Sequence, residues 1–400
     1  MTLWHSRNYL TVKKHNIPAM LFAGLILCIH NIDGFIQILT GSYQEPGKLN
    51  PIIAPILLTL LAGIWFTNHL CKQNSKISIL VIISTIATFV IVVFTLKSHN
   101  ISKGLRDLCY LWLIAFTYLN LTFIYDKHLF NAKLLAKIIV LFGVIVIPFA
   151  SFLGGIGYNV EHRFTGLVSS APIFANSLFL ITVIALESGL SFYWIAPSMI
   201  ISTIFIIPSG TRSPLVLFVF MLVYILISNR ASIKFRKGLI TVPLILSSVL
   251  FYWITDHFFS DSRILTVNDI EVGSLNTRFT IYQTIMHQLA NRFFIGGFGA
   301  GVSETLFDYI THFDFLRYWY DYSFFYLILF LIVLYYPAWK NRKMTSFLHF
   351  KMQNFIDLLF FSTCTLILSL HNFLVTPFGC ITISLFGFLI FSHRNEKFRV

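Results

Sequence analysis

The chain has 400 residues, of which 56% are hydrophobic and only 11% are charged. Soluble globular proteins carry about a quarter charged residues, so this deficit excludes a large soluble domain and indicates a polytopic membrane protein. The net charge of +13 could suggest nucleic-acid binding. However, the basic residues lie in short segments between apolar runs, which the positive-inside rule explains better. We therefore expect no nucleic-acid partner.

Apolar runs of roughly twenty residues cross a bilayer as α-helices, and the sequence contains about twelve of them. It predicts an all-α polytopic integral membrane protein in three parts. Residues 1–256 hold spans one to nine, residues 257–320 form one large loop, and residues 321–400 hold the last three spans and a cytoplasmic tail. The predicted spans lie at about 17–38, 50–67, 77–96, 105–125, 134–154, 170–187, 190–208, 212–229, 238–256, 321–338, 354–371 and 375–392.

The distribution of lysine and arginine predicts the orientation. With the N-terminus in the cytoplasm, about 19 of the 29 basic residues lie on the cytoplasmic side. Lys97, Lys103 and Arg106 are the exceptions, because the same topology places them outside. The 257–320 loop then lies outside as well. It contains no lysine and more acidic residues than arginines, as expected of a segment that a cell exports.

Two arginines lie at the outer ends of predicted spans. Arg163 is part of Glu161-His-Arg-Phe-Thr-Gly-Leu167, and Arg212 is part of Ser209-Gly-Thr-Arg-Ser-Pro214. An arginine at a span end often only reaches for the lipid headgroups. Small, hydroxyl-bearing neighbours around Arg212 favour a second interpretation, in which the guanidinium grips a phosphate with two hydrogen bonds.

The large loop contains an amphipathic run that begins at Asn276. Its apolar residues recur with helical spacing, which predicts a helix lying on protein or on the membrane surface. We expect Asn276 to be the N-cap. Arg278 would then lie in the first turn, where a positive charge opposes the helix dipole, so we interpret it as part of an anion site. The apolar stripe comprises Phe279, Ile281, Tyr282, Ile285, Met286 and Leu289.

A glycine cluster at 296–301 and a histidine block follow in the loop. The glycines match neither nucleotide-binding pattern and predict a tight turn that brings the backbone close to a ligand or another helix. His312 is the best candidate general base, since its unperturbed pKa lies near working pH; the alternative is a structural histidine. Asp314 is the competing carboxylate. The ligand spacing of a metal site is absent, so we expect neither metal nor cofactor.

The order of these motifs resembles the bacterial O-antigen ligase and O-antigen polymerase superfamily over about residues 160–340. Members are multi-pass inner-membrane proteins with a large periplasmic loop, and they transfer a glycan from undecaprenyl diphosphate without metal or nucleotide. The resemblance implies that Arg212 and Arg278 hold the diphosphate, with Arg163 as a helper, on the periplasmic face. It also implies that His312 activates the acceptor hydroxyl and that the transfer inverts the anomeric carbon.

The chain departs from the family pattern at two places. The family usually has Asn where this chain has Phe313, and Glu-x-Gly where it has Asp321-Tyr-Ser323. The resemblance implies an O-antigen ligase that uses lipid A–core as acceptor, or alternatively a polymerase whose acceptor is a second lipid-linked glycan. A flippase or transporter of the lipid-linked sugar is a third reading. It would require ionisable groups at mid-membrane, whereas the candidates fall near span ends: Asp33, Asp107, Glu187 and Asp357.

Overall fold

The computed structural model describes residues 2–40, 50–70, 78–126, 131–158, 163–168, 170–211, 213–228, 272–290, 297–306, 313–340 and 352–392. Within these ranges the regular structure is helical, apart from one isolated bridge between Tyr158 and Phe164. The predicted all-α class is therefore confirmed for the described residues. The predicted span at 238–256 lies outside them.

Sixteen α-helices are numbered here in chain order within the described ranges. They are α1 (Thr2–Thr40), α2 (Asn50–Leu70), α3 (Ile79–Ser98), α4 (Ile101–Asp126), α5 (Ala132–Val140), α6 (Ile147–Leu153), α7 (Ala171–Glu187), α8 (Phe192–Ser209), α9 (Ser213–Ile227), α10 (Val272–Ala290), α11 (Val302–Leu306), α12 (Asp314–Tyr322), α13 (Phe324–Leu334), α14 (Tyr336–Lys340), α15 (Met352–Ser369) and α16 (Pro377–Ser392). A π-helical segment, Leu141–Val146, joins α5 to α6, and a short 3-10 helix, Phe373–Val375, precedes α16.

Of the described helical segments, four are long and apolar enough to cross a membrane: Ile79–Ser98, Ile101–Tyr125, Ala132–Leu153 and Phe192–Ser209. Other apolar helices are shorter. The helix α3 turns large apolar side chains outward, among them Ile82, Phe89 and Leu96. Such a surface suits lipid rather than water. The chain is therefore a helical membrane protein. Helices lie at eleven of the twelve predicted spans, and the number of crossings stays a prediction.

Local sequence signals explain where several helices begin and end. Ser78 and Asn131 cap α3 and α5, because their side-chain oxygens accept hydrogen bonds from the Leu80 and Leu134 N–H groups. At the other end of α3, His99 adopts a left-handed backbone with φ of 55°, so that α4 starts two residues later. These two helices therefore form a tight antiparallel hairpin.

The span between residues 132 and 153 changes its helical winding before a proline. Pro148 has no N–H to donate. Just before it, the Ile147 N–H bonds to the Phe142 carbonyl, five residues back. The π-helical segment thereby keeps the polypeptide helical through a position where a regular bond is lost.

The centre of the bundle is formed by α4, α7 and α16. The helix α4 packs against α2, α3 and α16, while α7 packs against α5, α8, α9 and α16. Polar bonds fix these contacts: the Tyr118 hydroxyl donates to the Leu334 carbonyl at 2.7 Å, and the Asn120 amide donates to the Leu61 carbonyl at 2.9 Å. Such bonds specify how apolar helices align.

Several polar segments of the described residues lie at one end of the bundle, here called the distal end. It comprises the α3–α4 turn and the segments 163–168, 208–211, 297–306, 313–323 and 370–376. Direct bonds hold these segments together: Lys97 to Gly297, Phe164 to Pro208, Gly34 to Leu167, and Asp314 to Leu374. The described parts of the sequence motifs at 163–168, 209–211, 297–301 and 313–316 therefore lie at this end.

Candidate functional site

Arg163 contacts the turn that precedes Arg212. Its Nε donates to the Ser209 carbonyl at 2.7 Å, and its Nη2 donates to the Thr211 hydroxyl at 3.2 Å. Gly210 ends α8 with φ of 65°, a left-handed conformation that glycine adopts without steric cost. A Cβ at this position would lie 3.2 Å from Arg163 Nε. Two motifs 46 residues apart in sequence are thus in direct contact.

Three of the predicted site residues are described in part or not at all. Arg212 and His312 lie outside the described residues, and only the backbone of Arg278 lies within them. The helix α10 begins at Val272, so the prediction that Asn276 is the N-cap is wrong. Asn inside a helix costs less than about 0.7 kcal/mol relative to Ala, too little to set where the helix begins. Arg278 therefore lies in the second turn, and the argument from an anion site at the helix N-terminus no longer applies.

The buried face of α10 is narrower than predicted. Ile281, Ile285 and Leu289 are buried and pack with Leu316 and Tyr320 of α12. Met286, which the predicted stripe included, is 45% exposed. Ile281, Ile285 and Leu289 recur every four residues, which places them on one face of the helix. This face of α10 lies on protein.

Asp314 is the first residue of α12 and is fully buried. Its Oδ2 accepts a hydrogen bond from the Leu374 N–H at 3.0 Å. Burial raises the pKa of Asp314 to about 7, although nearby Arg317 acts in the opposite direction. The carboxyl group therefore links the start of α12 to the 3-10 helix at 373–375. This link is a structural role, in addition to the predicted role of Asp314 as the carboxylate that competes with His312.

The glycine cluster packs directly against α12. Phe298 N–H and Gly299 N–H donate to the carbonyls of Tyr320 and Asp321, both at 2.9 Å. A Cβ on Gly297 would lie 2.4 Å from the Tyr322 carbonyl carbon, so only glycine permits this approach. The predicted close approach of backbone to another helix is confirmed.

Asp321 lies in the last turn of α12. It is fully buried and accepts hydrogen bonds from Gly301 N–H at 3.2 Å, Ser303 N–H at 2.9 Å and the Ser303 hydroxyl at 3.1 Å. The side chain holds residues 301–303 onto α12.

A buried charge cluster is the strongest electrostatic feature of the distal end. Arg317 is fully buried; its Nη2 donates to Asp107 Oδ1 at 2.5 Å and its Nη1 to Glu304 Oε1 at 3.0 Å. The Tyr322 hydroxyl donates to the other Asp107 oxygen at 2.8 Å. These four residues are called the Arg317 cluster. They join α4 to α11 and α12.

Lys97, Lys103 and Arg106, the exceptions to the positive-inside rule in the predicted topology, all contact the segment 297–304. Arg106 Nη2 donates to Glu304 Oε1 at 2.6 Å, and Lys103 pairs with Glu304 Oε2. Lys97 Nζ donates to the Gly297 carbonyl at 2.8 Å. Burial alone would raise the pKa of Glu304, but the surrounding cations outweigh it and lower the pKa to about 2. The three basic residues lie at the same end as 297–304 because they bind it.

In the sequence, Arg317 is one of the arginines of the large loop and Asp107 lies near the end of a predicted span. The sequence analysis did not pair them. A signal was present: Asp314, Arg317 and Asp321 recur at intervals of three and four, which places them on one face of a helix. The partner Asp107 is 210 residues away from Arg317, and helical spacing carries no information about such a contact.

Among the residues that the structure describes, no three His, Cys, Asp or Glu side chains are grouped to hold a metal ion. Comparison with protein-family models finds no match, and neither does comparison with curated proteins. The arrangement offers hydrogen-bond donors near the 209–211 turn and a rigid ionic support for the segment around 313–323.

Proposed function

We propose that this chain is a glycosyltransferase that moves a glycan from undecaprenyl diphosphate onto lipid A–core at the periplasmic face of the inner membrane. The observation that supports this most is the contact of Arg163 with Ser209 and Thr211. It joins two motifs of the O-antigen ligase resemblance and fixes the turn that immediately precedes Arg212. Arg163 then acts by positioning that turn.

The second support is that the later motifs are anchored at the same distal end. Asp314 is bound to Leu374, and the glycine cluster is bound to α12. His312 is two residues from Asp314 in sequence, so the bond of Asp314 to Leu374 supports the assignment of His312 to this end. A transferase needs its diphosphate-binding groups and its base on one side of the membrane, and the proposal assigns all of them to the distal end.

The proposed reaction needs no metal ion, because arginines can stabilise the negative charge that develops on the departing diphosphate. The acceptor hydroxyl oxygen attacks the anomeric carbon, and His312 takes its proton. The bond between that carbon and the diphosphate oxygen breaks, and undecaprenyl diphosphate leaves. Attack from the opposite face inverts the anomeric carbon.

A deletion strain and the purified protein test the proposal together. Lipopolysaccharide from the deletion strain should show core without O-chain on a gel, and the purified protein should transfer glycan to lipid A–core in excess EDTA. Core that carries a single repeat would favour the polymerase. Loss of O-chain without transfer by the purified protein would favour a flippase or transporter, and normal ladders would contradict all three.

A further inference from the structure

A patch of basic and aromatic side chains lies on the surface where α5 and α8 begin. Lys133 and Lys137 are exposed on α5, about one helical turn apart. Tyr193, in the first turn of α8, is 85% exposed, and Trp194 beside it is half-buried. These four residues are called the α5–α8 patch. The proposed transfer reaction uses none of them.

Two contacts place the lysines against the start of α8. Lys137 Nζ lies 5.8 Å from the centre of the Trp194 ring, within the range of a cation–π interaction. Lys133 Cε lies 3.7 Å from the point that a Cβ on Gly189 would occupy, in the turn that joins α7 to α8. Side chains four residues apart on a helix are neighbours. Both ammonium groups therefore lie over the same short stretch of the surface.

The two lysines carry charges that helix formation does not explain. Lys133 lies in the first turn of α5, where a positive charge opposes the helix dipole. Two like charges four residues apart also repel each other. Neither lysine forms an ion pair within the described part of the chain, whereas Lys103 and Arg106 at the distal end both pair with Glu304. The patch thus offers two positive charges to an anion from outside the chain.

The position of the patch favours a lipid as the source of that anion. The segments Ala132–Leu153 and Phe192–Ser209 are long and apolar enough to cross a membrane, and both begin at the patch. Ser209 belongs to the distal end, and the 18 residues of α8 extend about 27 Å, so the patch lies near the opposite membrane surface. Tyrosine and tryptophan are enriched at this level, where the lipid headgroups lie.

We propose that the α5–α8 patch binds the headgroup of an anionic phospholipid in the leaflet opposite the distal end. The phosphate lies between the two ammonium groups. Leu141, four residues beyond Lys137, is 39% exposed and offers an apolar contact to an acyl chain. A zwitterionic phospholipid has no net charge and should bind less tightly. This inference is independent of the proposed transferase reaction.

Thermal unfolding of the full-length protein in a nonionic detergent tests the proposal. The probes are phosphatidylglycerol, phosphatidylcholine with the same acyl chains, and inorganic phosphate. Ligand-induced shifts in melting temperature give the affinities. Phosphatidylglycerol should bind the parent protein more tightly than phosphatidylcholine does. Lys133→Gln and Lys137→Gln should each reduce that advantage about fivefold, the contribution of one lysine near an anionic lipid surface.

Lys340→Gln is the matched control, because it removes one exposed lysine at the end of α14, outside the patch. It should leave the advantage of phosphatidylglycerol unchanged, as should a double variant with Lys133→Arg and Lys137→Arg, which keeps both charges. Equal binding of the two lipids by the parent protein overturns the proposal. So does an advantage that survives both glutamine substitutions, or one that Lys340→Gln reduces as much. Equal stabilisation by inorganic phosphate, lost in the two glutamine variants, would overturn it in favour of a soluble anion.

Discussion

Replacing Arg317 by leucine should destabilise the protein severely. The side chain is fully buried and bridges Asp107 and Glu304, so its removal leaves the equally buried Asp107 carboxylate with the Tyr322 hydroxyl as its remaining close donor among the described residues, apart from a long contact with Arg106. Breaking a buried ion pair from one side typically costs about 3–5 kcal/mol. Since each 1.4 kcal/mol is a factor of ten, the folding equilibrium should shift by a factor of roughly 100 to 4,000.

Free energies of unfolding can be measured by SDS titration in mixed micelles, followed by tryptophan fluorescence. Three variants give a thermodynamic cycle: Arg317→Leu, Asp107→Asn and the double variant. The loss in the double variant should be smaller than the sum of the single losses by at least about 1.5 kcal/mol, because each single change already breaks the shared interaction. Lys103→Met is the control, since this side chain is 33% exposed and its pair should contribute less than about 1 kcal/mol. Additive single effects, or a loss below about 1 kcal/mol for Arg317→Leu, would refute this account of the cluster.

Four further predictions concern the topology, the proposed site and the pH dependence of stability. In a variant without native cysteines, Ser274→Cys should react with an impermeant maleimide in intact spheroplasts. Labelling only after lysis would show that the predicted orientation is wrong. Arg212→Lys and Arg278→Lys should each lower glycan transfer at least about tenfold at normal membrane abundance, because lysine lacks the guanidinium fork, and full activity in both would reduce these residues to headgroup anchors. His312→Ala should abolish transfer, since loss of a general base costs about 10²–10⁴-fold, while Asp314→Asn should cost far less; the opposite ranking moves the base to the carboxylate. Because burial raises the pKa of Asp314 to about 7, its stabilising contribution is complete below about pH 4 and is lost as the pH rises through 7. The melting temperature should therefore fall from pH 5 to pH 8 in the parent and fall less in Asp314→Asn.

The positions of the helices follow from the sequence because membrane spans are long, local patterns. The start of α10 does not follow from the sequence, since Asn276 can either cap a helix or lie within one at a small cost in free energy. In the structure this helix begins at Val272. Which face of α10 is buried also depends on the helix that packs against it. Met286 is apolar yet exposed, because α12 covers the neighbouring face. Propensity fixes the helix, and tertiary packing fixes its rotation.

The candidate site was only partly predictable for a similar reason. Small neighbours singled out Arg212, and in the structure Arg163 contacts two of the residues just before it, Ser209 and Thr211. No local sequence pattern predicts the contact of Asp107 with Arg317, since 210 residues separate them.

The contacts of Glu304 also have a consequence for biosynthesis. Lys103 and Arg106 emerge from the ribosome about two hundred residues before Glu304 does. At about 5–20 residues per second, the α3–α4 hairpin must exist for roughly 10–40 s before its counter-charge is made. During that interval its turn carries positive charges, which by the positive-inside rule favour the cytoplasmic side. If the turn lies outside, as the proposed topology has it, the orientation of this hairpin is secured late, by a segment that is synthesised after most of the bundle.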